Sequence, residues 1–84
     1  MDEQTFNEVR SVVAKTIGIA NRADSLTPES SLAGLPEFDS MAVVTVVTMI
    51  EDELGVTIED DELSADVFAT VGSLTKFVGQ KVAA

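Results

Sequence analysis

Val43-Val44-Thr45-Val46-Val47-Thr48 decides the fold of this 84-residue chain. Every one of these residues is β-branched, and propensity alone makes the run a strand. Its surroundings make it a helix. The run continues without a turn signal through Met49-Ile50-Glu51-Asp52-Glu53-Leu54 to Gly55, a residue that commonly ends helices. Met41 or Val43, Val46 or Val47, Ile50 and Leu54 recur at helical intervals. No second strand is available to pair with it, and a lone strand is unstable in water. The spacing therefore predicts a helix over 40–54, opened by Phe38-Asp39-Ser40-Met41. A small acid followed by a serine suits a helix N-terminus, where their oxygens accept hydrogen bonds from unpaired N–H groups. A phosphate on the Ser40 hydroxyl would be stabilised by the same donors and by the helix dipole.

Working outward, Thr5-Phe6-Asn7-Glu8 has the form of a capping box. Phe6, Val9, Val13 and Ile17 then lie on one helical face, with Gly18 as the stop, so a helix is expected over 3–17. Residues 19–38 read as a long loop, pinned to the core by Leu26, Leu32, Leu35 and Phe38. Within it, Thr27-Pro28-Glu29 can start a single helical turn. After Gly55, Val56 and Ile58 form an apolar pair, Glu59 to Leu63 a short acidic helix, and Val67 and Phe68 further anchors. Thr70-Val71-Gly72-Ser73 opens a last helix with Val71, Leu74, Phe77 and Val78 on its apolar face. The expectation is an all-α, small four-helix bundle of three long helices and one short, formed as one domain over 1–84.

Composition narrows function. There are five basic and fifteen acidic residues, for a net charge of −10. Arg10, Lys15 and Arg22 precede residue 23, and Lys76 and Lys81 follow residue 75. Twelve acids and no base lie between. Such a surface repels nucleic acid and anionic lipid and attracts basic partners. The chain has no Cys, His, Tyr or Trp. Disulfides, Cys- or His-ligated zinc and His-dependent triads are thereby excluded. Glu59-Asp60-Asp61-Glu62 with Asp66 lacks the spacing and central glycine of an EF-hand, so no metal site is expected. Paired carboxylates alone, with no sign of a pocket, read as a solvated face rather than acid–base machinery. No signal pattern or bilayer-length apolar run is present, which leads to the expectation of a cytoplasmic, non-catalytic protein without membrane insertion.

An Asp-Ser pair on its own is an ordinary helix cap. Its context changes this. Ser31-Leu32, Phe38-Asp39-Ser40-Met41, Glu51-Asp52-Glu53-Leu54-Gly55-Val56 and Thr70-Val71-Gly72-Ser73-Leu74, in this order and over nearly the whole chain, resemble the acyl carrier protein family. The family's motif is Asp-Ser-Leu, and Met41 here replaces Leu, a change conservative in volume. The resemblance implies a monomeric carrier. A phosphopantetheinyl transferase would attach 4′-phosphopantetheine from coenzyme A to Ser40. Asp39 would help to position that enzyme and its metal, with Met41 beside them. Acyl-loading and acyl-transfer enzymes with basic or apolar docking patches would then use the thioester-bearing arm.

The resemblance also places an acyl-sheltering set at Val43, Val47, Ile50, Ile58, Leu63 and Phe68, residues that equally suit plain core packing. The bulk of Leu63 and Phe68 points to a short acyl group or one held largely outside. Fatty-acid carriers typically place acids two and five positions after the serine; here Ala42 and Thr45 stand there. Docking charge is therefore expected from Glu51, Asp52, Glu59, Asp60, Asp61 and Glu62. Contact along the start of the helix should be apolar, as in a specialised stand-alone carrier. Two alternatives are an aminoacyl or polyketide carrier and an unmodified acidic interaction domain of the same fold.

Overall fold

The computed structural model describes residues 2–83. Its order is α1 (Glu3–Thr16), a 3-10 segment (Ala20–Ser25), α2 (Ser40–Leu54), a single 3-10 turn (Asp60–Glu62) and α3 (Val71–Ala83). The all-α expectation holds: three long helices and a short one, with no strand among the described residues. The β-branched run is helical throughout.

α1 packs against both α2 and α3. Val9, Val12, Val13 and Ala14 of α1 meet Val46 and Ile50 of α2 and Val71, Leu74 and Val78 of α3 in one core. The same helical spacing that defines each apolar face brings these side chains together, and their burial supplies most of the driving force for a chain of this size. The innermost line of α2 is Ala42, Val46 and Ile50. Val43 and Val47 are half-buried beside it, and Met41 is turned to solvent.

The cap of α1 differs from the sequence expectation. Asp2, not Thr5, is the N-cap; its carboxylate accepts from the Thr5 N–H at 3.2 Å and the Thr5 hydroxyl at 2.6 Å. Thr5 lies buried inside the helix. Asp2 takes the Thr5 N–H, one turn before the Glu8 N–H that a Thr5 cap would take, and the apolar frame is unchanged. At the other end the Ile19 N–H donates to Ala14 and the Gly18 N–H to Lys15. With Gly18 at φ 79° this is a Schellman closure, as the glycine stop predicts.

The stretch over 19–38 is more ordered than a loop reading allows. It contains the Ala20–Ser25 segment, kinked at Arg22. Thr27 to Ser30 forms a hydrogen-bonded turn rather than a helical one, with the Thr27 N–H donating to the Ser30 hydroxyl. Leu26 and Leu32 are buried, and Leu35 and Phe38 pack against the core as anchors. The backbone then pairs with the start of α3: Leu32 N–H donates to Ala69, Val71 N–H to Ser30 and Gly72 N–H to Pro28. A Cβ on Gly72 would lie 2.7 Å from the Pro28 carbonyl oxygen, so the close approach requires glycine. α3 itself opens on a reciprocal cap, each of Thr70 and Ser73 donating its N–H to the other's hydroxyl at 3.0 Å.

The candidate attachment site and its surroundings

The hydrogen bonds that shape the turn at Ser40 are local to the start of α2. Asp39 is extended and its Oδ1 accepts from the Ala42 N–H at 2.9 Å, while its backbone carbonyl accepts from the Val43 N–H. The carboxylate thus satisfies one of the N–H groups that a helix start leaves open, and the Val43 bond is the first of the helix itself. Those of Ser40 and Met41 have no partner among the described residues. Asp39, Ser40 and Met41 are all exposed. The result is a hydroxyl presented to solvent at the positive end of a fifteen-residue helix. Such a site fits a serine-linked phosphodiester: the oxygen is reachable, and free N–H groups and the dipole favour negative charge beside it.

Behind this exposed turn, Phe38 is half-buried, its ring 6.0 Å from that of Phe68 at a tilt of 40°. The anchor fixes the chain just before Asp39 to the segment ahead of α3. The six residues expected to shelter an acyl group fall in or on the one core: Ile50, Ile58 and Phe68 are buried, and Val43, Val47 and Leu63 pack half-buried against them. Two surface depressions, of about 590 and 600 Å³, lie elsewhere. The first runs between α1 and the end of α2 beside Glu8, Val12 and Leu54; the second lies along α3 beside Gly72, Lys76 and Gly79. Neither is lined by any of the six.

The acidic residues divide into two groups. Asp52, Glu59 and Asp61 are exposed. Glu51 is half-buried, and its Oε2 accepts from the Ile58 N–H at 2.8 Å, tying the segment after α2 back onto its last turn. Glu62 accepts from the Glu59 N–H and pairs with Lys81 near the end of α3. The Lys81 ammonium, with help from that N–H, holds the Glu62 carboxyl below its usual pKa. The side chain of Asp60 lies outside the described residues. Sequence reasoning did not separate these roles, because charge counts carry no direction. It also passed over Val44, exposed at 59% on α2 next to the site, although its place one turn after Ser40 was a usable signal.

The model of the phosphopantetheine attachment site family matches residues 7–78. The chain belongs to this family. Among the carrier's relatives, an acyl carrier protein from Picosynechococcus sp. is 27% identical over 84 residues, covering 100% of this chain and 99% of its own. One from Lactobacillus acidophilus is 29% identical over 77 residues, 92% of this chain and 91% of its own. The solution NMR structure of a holo acyl carrier protein from Nitrosomonas europaea matches with a TM-score of 0.86 and 40% identity, over 96% of this chain and 99% of that one. Fold and sequence thus agree on a carrier of acyl groups whose covalent cofactor is 4′-phosphopantetheine.

Proposed function

We propose that Ser40 is the attachment residue of this carrier, and that residues 1–84 work as one monomeric, non-catalytic domain in the cytoplasm. The observation that carries the assignment is the geometry of the α2 start: an exposed hydroxyl, capped by Asp39, with two N–H groups open beside it. Asp39 orients the turn through Oδ1 and keeps its other oxygen for the transferase and its metal. Met41 extends the contact surface on the C-terminal side. When bound, the cofactor supplies a flexible arm ending in a thiol that takes acyl units as thioesters. This chain has no thiol of its own.

Ile50, Ile58, Phe68, Val43, Val47 and Leu63 form the shelter for cargo. Three of them are already buried in the core, so a long acyl chain would have to displace well-packed side chains. This supports a short acyl group, or one held outside. Docking charge on acyl-handling enzymes falls to Asp52, Glu59 and Asp61, since Glu51 and Glu62 already hold the fold together. No helix among the described residues is long and apolar enough to cross a membrane, and the acidic surface disfavours nucleic acid.

The test is incubation of the apo protein with coenzyme A and a broad-specificity phosphopantetheinyl transferase, followed by intact-mass measurement. The wild type should gain one phosphopantetheine and Ser40→Ala none. Equal modification of both, or modification of neither, would overturn the assignment.

A further inference from the structure

Met41 sits directly after the attachment serine and is 72% exposed, the most exposed large apolar side chain of the described chain. Val44, 59% exposed, lies three residues on and therefore on the same helical face. No charged residue occurs between Ser40 and Glu51, and Met41 and Val44 make the large exposed side chains of the first turn apolar. Any enzyme that brings a reacting atom to the Ser40 oxygen must cover the residue beside it. A thioether in that position is chemically distinct from the leucine it resembles in size, because it can be oxidised to a polar, chiral sulfoxide.

Susceptibility follows access of the oxidant to sulfur. The chain contains its own control. Met49 lies two turns further along α2, half-buried against the core, with its sulfur 3.9 Å from the Thr16 hydroxyl. The two methionines share a helix and a solvent but not their exposure.

We propose that Met41 is a peroxide-sensitive modification site that controls access to Ser40, a reading that rests on Ser40 being the attachment residue. The sulfur lone pair attacks one oxygen of a hydroperoxide and the O–O bond breaks. A sulfur–oxygen bond forms, and the leaving oxygen takes up the proton and departs as water or alcohol. Sulfur loses two electrons and the peroxide gains them. Docking surface that was apolar then carries a strong hydrogen-bond acceptor; the Thr45 hydroxyl one turn along already donates to the Met41 carbonyl at 3.0 Å, and the sulfoxide loses its hydrogen bonds to water once a partner covers it.

The experiment treats the 84-residue apo protein with dilute hydrogen peroxide and follows each methionine by peptide mass spectrometry. Oxidised and untreated samples of the wild type and Met41→Leu are then compared as transferase substrates. Met41 should oxidise about tenfold or more faster than Met49. Oxidation should lower the wild-type rate of Ser40 modification by about fivefold or more, the effect of a truncated interface anchor. Treated and untreated Met41→Leu should react alike. Equal oxidation of Met49, or an unchanged rate after complete oxidation of Met41, would overturn the proposal. Failure of untreated wild type to be modified at Ser40 would overturn the attachment assignment and the access role together. The oxidation ratio is read independently of either rate.

Discussion

The two ends of α2 are built for opposite purposes. At the N-terminal end, Asp39 satisfies two N–H groups and leaves those of Ser40 and Met41 open, with exposed apolar side chains around them. At the C-terminal end, Gly55 turns left-handed at φ 67° and donates to the Glu51 carbonyl, while the Glu51 carboxylate takes the Ile58 N–H. One end leaves a hydroxyl and N–H groups open, as the proposed attachment requires, and the other is closed by the chain itself. The position of charge follows the same division: Glu51 ties down the end where the chain turns back, and no acid lies on the helix between Ser40 and Glu51.

This contrast can be broken from either side. The largest effect should come from the closed end. Gly55→Ala places a side chain in the left-handed region with open space around it, so the cost is backbone conformation alone, about 1–2 kcal/mol in urea unfolding. A loss near zero would mean the segment after α2 relaxes freely. At the open end, Asp39→Ala removes the cap and should cost about 1 kcal/mol, whereas Asp39→Ser should recover most of it. If both variants unfold like the wild type, the carboxylate contributes nothing through the cap.

The smallest effect concerns Glu62. Its pKa is depressed in the folded protein, so its carboxylate contributes stability above its unfolded pKa, and that contribution is lost as pH falls through the folded value. As the pH falls below the ordinary carboxylate range, Glu62→Gln should therefore lose less stability, read as melting temperature, than the wild type. An identical loss in the variant would show that Lys81 does not hold the turn. Asp2, depressed by the Thr5 hydroxyl and N–H, adds to the loss in the same direction.

Much of α2 was legible before any coordinates. Its limits are encoded by the Asp39-Ser40 start and the Gly55 stop, and helical spacing overrides the β-branched propensity of Val43 to Thr48 because burial outweighs χ1 entropy. The choice of innermost line was not legible. Val43-Val47 and Ala42-Val46-Ile50 are both apolar, so only packing against α1 and α3 selects between them. The Ala20–Ser25 segment gave no signal, since none of its residues is buried and no apolar period marks it. The motif and context around Ser40 are what the proposed attachment rests on, and the exposed, capped turn that carries it was legible from Asp39-Ser40. The inward roles of Glu51 and Glu62 were not, because each depends on a partner in another element, Ile58 and Lys81.

The backbone pairing of residues 28–32 with 69–72 sets an order on biosynthesis. The chain that leads into Ser40 finds its hydrogen-bond partners at Ala69, Val71 and Gly72, some forty residues later. On the ribosome, α1 and α2 emerge while that clasp is still missing, and the approach to the serine stays unanchored until the start of α3 has been made. The segment that leads to Ser40 is therefore anchored late, and a chain interrupted before residue 69 holds Asp39 and Ser40 without that anchor.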